Sequence, residues 1–374
     1  MKHAVYQELS QTFTSLKVQL LKAEPIDCIK LCYQRAFGAA HFCGTPQEAL
    51  DALQKECSGL CAKEGHLLTP IGGDAVRISL RAALFWQIPL PFLARFFCLC
   101  AAHAPQDAAW FSDALDALEP LCADGVLPFA PEDMRKACRD YRAQGCPPVS
   151  HSETLRAAYD PHYRVLSGKP ARLLFLALRI AQKLEQAAPG TRVAVALDGF
   201  AGAGKTTAAA LLSELFDGAP VVAMDDFFLP PNLRKPQRFA QPGGNVHYER
   251  FADEVSPHLH SAAPFSYRRF DCSQMDYGDT RNIAAGPLVI VEGSYALHPF
   301  MRTSYDVTAF FDIEPAEQQR RILKRSGEAM LARFLSEWIP LEHAYESAFQ
   351  ARRHADFLFP AGSHRPLDSE AEPC

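Results

Sequence analysis

The stretch LDGFAGAGKTT, residues 197–207, constrains this chain more than any other. It fits G-x-x-x-x-G-K-[ST], with Gly199, Gly204, Lys205 and Thr206 at the fixed positions. Glycines let the backbone curl until successive N–H groups converge, and such a nest suits anionic oxygens. The flanks supply what the loop needs. TRVAVAL, 191–197, is a β-branched apolar run that reads as a buried parallel strand. KTTAAALLSELF, 205–216, is rich in Ala and Leu, with Leu211, Leu212 and Leu215 at helical spacing. Strand, glycine loop and helix in that order aim the positive end of a helix dipole at a phosphate.

The pattern therefore implies a nucleoside triphosphate, taken here as ATP, together with Mg2+. The candidate cradle is Gly199, Ala201, Gly202, Ala203, Gly204, Lys205, Thr206 and Thr207. Lys205 would place a point charge on the β- and γ-phosphates, and the Thr206 hydroxyl would sit on Mg2+. No motif that reads the base separates ATP from GTP.

The loop begins almost 200 residues into a chain of 374. Residues 1–150 read as helix after helix, with apolar residues at three- and four-residue steps and few β-branched runs. A break at GCPPVSHSE, 145–153, offers Ser150 or Ser152 as a helix cap. A connecting helical segment fills 151–190, and 363–374 form a tail. Between them, from 191 to 362, strands alternate with helices. APVVAMDDFF, GPLVIVEGSYAL, YDVTAFFDI and ADFLF hold the second to fifth strands. The expected architecture is α/β, a P-loop NTPase parallel sheet with helices on both faces, preceded by an all-α region. Ligands of such sheets bind at the carboxyl ends of the strands, where these motifs fall.

Composition narrows the partners. The net charge is −5 with no long run of Lys or Arg, which argues against nucleic acid or an anionic membrane. The N-terminus MKHAVYQELSQ lacks the apolar core of a signal peptide. The most apolar stretch, 82–102, carries Gln87, Pro89, Pro91 and Arg95, so two buried helices joined at IPLP are expected rather than a membrane span. Ten of the twelve cysteines precede residue 147. Without a secretion signal they read as reduced thiols of a cytoplasmic protein. Cys28, Cys32, Cys57 and Cys61, near His41, Cys43 and His66, match no usual zinc spacing.

The loop does not choose among phosphate chemistries; the acids after the strands do. Asp225 and Asp226 follow the second strand, and phosphate transfer to an alcohol needs a carboxylate to orient the hydroxyl and take its proton. Adjacent side chains on an extended segment point opposite ways, so one of the two is expected to do this. Glu292, at the end of LVIVE, stands where a carboxylate reaches Mg2+. In QQRRILKRSGEAMLARF, 318–334, Arg321 and Arg325 are i,i+4 neighbours that could close over the transferring group. A solvated helix face is the alternative for that pair.

These motifs in this order resemble the uridine kinase family, in the wider group with phosphoribulokinase, pantothenate kinase and nicotinamide riboside kinase. The resemblance covers roughly residues 190 to 360. DGFAGAGKTT looks like the phosphate loop, and DDFF like the acidic motif, whose catalytic first Asp maps to Asp225. VIVEG resembles the Walker-B strand, with its acid at Glu292; RRILKR and HADFLFP resemble the lid helix and last strand. The resemblance implies an ATP-dependent transfer to the hydroxyl of a small molecule. The acceptor region departs from the pattern. The family's Tyr-Asp segment with a downstream His corresponds to FSYRRFDCSQMDYG, with Tyr267, Arg268, Arg269, Phe270 and Asp271 but no following His. Phe228, His247 and Arg250 complete the candidate acceptor contacts, and uridine is not the expected acceptor. Two arginines there suit an anionic acceptor or are surface residues, and the acceptor class is a nucleoside, a riboside or a small acid.

CYQRAFGAAHFC and HSETLRAAYDPHYRVL in the front half look like segments of some bacterial uridine-kinase-like proteins. His41 and His151 there read as packing or capping residues. The alternative to an enzyme is a nucleotide-binding regulator whose helical half contacts a protein partner. Homo-oligomerisation is left open.

Overall fold

A computed structural model describes residues 2–39 and 44–361. His41, Cys43 and the tail 363–374 lie outside the described residues. The chain forms two compact units, one up to Phe175 and one from Leu176. The helix Leu174–Gln186 spans that boundary.

The first unit is built of helices whose ends are written locally. Thr45 and Glu48 form a reciprocal capping box at the start of Pro46–Cys57. The Asp107 carboxylate accepts the Trp110 N–H at the start of Ala108–Ala123. Proline opens Pro25–Phe37, Pro46–Cys57 and Pro131–Ala143, where its missing N–H costs nothing. The apolar stretch 82–102 divides as expected, into Leu80–Phe85 and Leu90–Ala102, and Leu93, Phe96, Phe97 and Cys100 of the second are buried. Among the described residues no helix is long and apolar enough to cross a membrane.

This helical region carries one addition that the periodicity does not predict. Three short strands, β1 (Leu68–Pro70), β2 (Val76–Ser79) and β3 (Tyr163–Leu166), pair antiparallel in the order β1-β2-β3. The β2–β3 pairing ties segment 163–166 into the first unit.

The second unit is a five-stranded, all-parallel sheet. Its strands are β4 (Val193–Gly199), β5 (Val221–Ala223), β8 (Leu288–Glu292), β9 (Val307–Phe311) and β10 (Phe357–Phe359), in the order β10-β9-β4-β8-β5. Between β5 and β8 lies an antiparallel hairpin, β6 (Phe265–Asp271) and β7 (Asp276–Ile283), where the sequence predicts no strand. β4 is central and buried along its whole length. Helix Lys205–Leu215 follows it, burying Leu211, Leu212 and Leu215. The fold of this unit is the P-loop NTPase α/β fold expected from the motif order. Because all five strands run one way, they end at Gly199, Ala223, Glu292, Phe311 and Phe359 on the same edge. There the chain turns sharply. Gly199 has φ +137°, and a Cβ at that position would lie 2.0 Å from the Phe311 carbonyl oxygen, so only glycine fits.

Candidate active site

The phosphate loop wraps the head of Lys205. Its Nζ donates to the carbonyls of Gly199 (2.7 Å) and Phe200 (2.9 Å) and lies 3.3 Å from Ser294 Oγ. Below the loop is Asp198, 1% exposed. It accepts the N–H groups of Gly199 (2.6 Å), Tyr295 (2.9 Å) and Leu297 (2.9 Å) and the Tyr345 hydroxyl (2.7 Å). One carboxylate thus ties the loop to the segment after β8 and to helix Ile339–Phe349. Besides Gly199, three loop amides are already used, the Phe200 N–H by the Phe311 carbonyl at 3.1 Å. The Ala201 N–H reaches both oxygens of Glu342 at 3.1 Å, and the Ala203 N–H bonds to the Phe200 carbonyl at 3.1 Å. Lys205, Thr206 and Thr207 open the following helix, so their N–H groups have no intrahelical acceptor and can receive an anion.

Thr206 Oγ1 and Glu292 Oε2 are 3.2 Å apart, although the two residues are 86 apart in the chain. Hydroxyl and carboxylate therefore converge at the first turn of the helix, as a hard oxygen-ligated cation requires. The donor set fits Mg2+ held partly by nucleotide phosphates. Burial raises the Glu292 carboxyl above its usual range, Lys205 opposes the rise, and Asp225 adds to it.

After β5 the chain enters a short 3-10 turn, Met224–Phe227, which sends the paired acids to different surroundings. Asp225 is reachable by water, yet protein crowds around it. Desolvation raises its carboxyl, Lys205 and Arg325 pull it down, and Asp226 pushes it up. Asp226 is 7% exposed and accepts the Tyr267 hydroxyl at 2.8 Å, with Arg281 Nε at 3.8 Å. Asp225 therefore lies under the influence of the loop lysine, while Asp226 is bound to the hairpin.

The candidate acceptor residues fall into two groups. Arg250, Tyr267 and Arg268 are linked through Asp226: Arg250 Nη2 donates to the carbonyls of Asp226 and Arg268, both at 2.7 Å. The Arg250 guanidinium also lies over the Phe227 ring, 4.4 Å from its centre. Arg268 is exposed, over the Tyr277 ring. Phe228 bridges to Val246, and the His247 N–H bonds to the Phe227 carbonyl, so both sit beside the acidic turn. Burial lowers the basicity of the His247 imidazole. Asp271 is not part of this cluster. It closes the hairpin turn by accepting the Ser273 N–H (2.8 Å) and O–H (2.6 Å).

Arg321 reaches the loop: its Nη1 donates to the Gly202 carbonyl at 3.1 Å and its Nε to Glu317 at 2.6 Å. Arg325 has no carboxylate within ion-pair distance among the described residues, and its guanidinium lies over Phe334. Helix Pro315–Arg333 is interrupted just beyond, at Gly327.

Sequence reasoning missed Asp198, Ser294, Arg281 and Glu342. Asp198 carried a signal, an acid in an otherwise apolar strand. Glu342, which meets Ala201 from 141 residues away, carried none.

No family model matches the sequence, and no curated protein matches it. Among solved structures, the chain is similar to a candidate fructose transport system kinase from Silicibacter sp., at 25% identity and a TM-score of 0.41, over 50% of this chain and 98% of that one. It is also similar to a candidate uridine kinase from Bacillus stearothermophilus, at 18% identity and TM-score 0.35, over 49% and 98% of the two chains. A third is a D-glycerate 3-kinase from Cryptococcus neoformans, at 13% identity and TM-score 0.36, over 48% and 89%.

Proposed function

We propose that the second unit is an ATP-dependent phosphotransferase that moves the γ-phosphoryl group to a hydroxyl of a small molecule. The observation that carries the reading is the convergence of Lys205, the Thr206–Glu292 pair and Asp225 at one edge of the sheet. Bound Mg-ATP supplies the phosphoryl group and the charge of the metal. The protein does the rest. The first-turn amides and Lys205 would hold the phosphate oxygens, and Thr206 and Glu292 would hold the metal. Asp225 would accept the proton of the acceptor hydroxyl, whose oxygen would form the new bond to the γ-phosphorus as the bond to the β–γ bridging oxygen breaks and ADP leaves. Its raised pKa suits a base that must be ionised near neutral pH yet hold a proton better than an exposed carboxylate. Arg321 and Arg325 offset charge on the transferring group.

The acceptor side supports a small polar or anionic molecule. Tyr267 and Asp226 form a fixed polar wall, and Arg268 and Arg281 are exposed cations on the same hairpin. Guanidinium forks fit carboxylates and phosphates, which favours a small hydroxy acid among the ribosides, nucleosides and small acids that could accept the phosphoryl group. The test is ADP release from Mg-ATP by the full chain across a panel of such acceptors, with Lys205→Ala as the blank. Acceptor-stimulated release that the blank lacks is the expected result. ATP binding with no stimulation by any member of the panel would count against transfer.

A further inference from the structure

Helix Ile339–Phe349 lays two side chains against the phosphate loop, and the proposed transfer uses neither. Glu342 and Tyr345 stand at i and i+3, on one face. The Tyr345 hydroxyl donates to the buried Asp198 carboxylate at 2.7 Å, which fixes the helix against the base of the loop. Glu342 is 5% exposed, so its carboxylate belongs to the interior of this unit and not to its surface. Both of its oxygens lie 3.1 Å from the Ala201 nitrogen, and Oε1 also accepts the Ser294 hydroxyl at 2.8 Å. Ser294 Oγ is 3.3 Å from Lys205 Nζ. Ser294 has one proton to donate. Its contact with Glu342 is shorter than the one with the Gly199 carbonyl (3.0 Å), and it is the charge-assisted one. A single hydroxyl therefore separates the carboxylate from the ammonium.

A loop of converging N–H groups is suited to anions that arrive from solvent. Here one of those N–H groups is held by an anion of the chain itself. Lys205 supplies the reason. Its ammonium is 7% exposed and is bonded to two carbonyls and a hydroxyl, with no carboxylate in direct contact among the described residues. A buried cation is costly unless an opposite charge stands near it. Asp198 is engaged by four hydrogen bonds of its own, and Asp225 and Glu292 face acceptor and metal. Glu342 is the acid that balances Lys205 from within the protein. Burial raises its carboxyl above the usual range, and Lys205, the Ala201 N–H and the Ser294 hydroxyl oppose that rise. The same balance works against a triphosphate. A fixed negative charge one hydroxyl away from Lys205 lies beside the phosphate oxygens that Lys205 would hold. Mg-ATP carries one more negative charge than Mg-ADP, so the opposition is greater for ATP.

We propose that Glu342 is a specificity-determining residue of the phosphate loop, an internal counter-ion of Lys205 whose fixed charge loosens the hold on the γ-phosphate and so narrows the preference for a nucleoside triphosphate over the diphosphate. Tightening the ground state and the transition state alike would lower KM without raising kcat, so a restraint of this kind leaves turnover unharmed. The inference rests on the reading of the loop as a Mg-ATP site. It does not rest on transfer, because it concerns the equilibrium binding of the nucleotide whatever the acceptor.

The experiment is calorimetric titration of Mg-ATP and of Mg-ADP into the full-length chain at mildly alkaline pH, for the parent, Glu342→Gln and Glu342→Asp. Glu342→Gln keeps the length of the arm and an oxygen for the Ala201 N–H but removes the charge. Glu342→Asp keeps the charge and shortens the arm. Glu342→Gln is expected to bind Mg-ATP about tenfold tighter and to change Mg-ADP by less than about threefold, the scale of one partly screened charge contact. Glu342→Asp should keep the parent's ratio of ADP to ATP dissociation constants. Melting temperatures without nucleotide establish that the variants fold, and Glu342→Met offers a second neutral side chain with the same expected gain. Unchanged or weaker ATP binding by the folded neutral variants, or an equal gain for both nucleotides, overturns the proposal. So does a ratio that moves in Glu342→Asp and not in Glu342→Gln, which would make Glu342 a hydrogen-bonding brace. A parent that binds Mg-ATP yet transfers to no acceptor would count against the phosphotransferase alone, with the ratio still deciding the role of Glu342. A parent that binds Mg-ATP no better than Lys205→Ala would overturn both.

Discussion

Asp225 shows how much of this site is decided by the surroundings of single atoms. Desolvation raises its carboxyl above the ordinary 3.8, so in the folded chain it ionises at some cost. A carboxyl whose folded pKa is raised favours the folded state when protonated, and that advantage fades as pH rises through the folded pKa. Asp225→Asn, which cannot ionise, is therefore expected to raise the melting temperature at pH 7 while lowering turnover by at least about a hundredfold, with ATP binding intact. Near-normal turnover in that variant would remove Asp225 from the base role. The acid limb of kcat/KM should lie above pH 3.8, the ordinary value. Gly199→Ala tests geometry rather than charge. Its Cβ would collide with the Phe311 carbonyl, so loss of ATP binding and a lower melting temperature of the second unit are expected. Gly199, Lys205 and Asp225 were legible in the sequence because their constraints are local: a loop, its helix, and an acid at a strand end. Glu342 and Ser294 were not, since their roles exist only once distant segments meet the loop.

At the scale of elements, what the sequence showed was what its periodicity encodes. The apolar runs of β4, β8 and β9 declare buried parallel strands. The hairpin β6–β7 was hidden because most of β7 is exposed and polar, DYGDTRNI. The strands β1–β3 were hidden by lengths of only three and four residues. β3 matters out of proportion to its length, since it carries Tyr163 into contact with His151 and, through it, Asp27 on the helix Pro25–Phe37. Asp27 therefore staples helix to strand by way of charge. Its folded carboxyl, at about 2, lies below the ordinary 3.8. The stability it contributes is present above the unfolded value and is lost as pH falls through about 2. Asp27→Asn should therefore destabilise the first unit at pH 7 by roughly 1–3 kcal/mol. The gap from the parent should narrow as both are taken to acid. Denaturant midpoints at a series of pH values measure this; a gap that stays constant with pH would mean that packing, not the carboxylate charge, sets the loss.

At the scale of the whole molecule, the chain is two units that each bury their own core. Ala194, Val222, Phe251, Val291 and Phe310 lie in that of the second, and Leu9, Phe13, Ile29, Leu93 and Leu118 are buried in the first. A ligand that binds only the folded form of one unit stabilises that unit by RT ln(1 + [L]/Kd), about 2.7 kcal/mol at a hundred times Kd. The phosphate loop, Thr206, Glu292 and Asp225 all belong to the second unit, and the Asp27–His151–Tyr163 network belongs wholly to the first. Calorimetry of the full chain is therefore expected to resolve two transitions. Mg-ATP should raise one, and Lys205→Ala should abolish that shift while Asp27→Asn, in the first unit, leaves it in place. A single transition that moves as a whole with Mg-ATP would show that the units unfold together. The front half would then be part of the same cooperative structure as the nucleotide site rather than a separately unfolding unit.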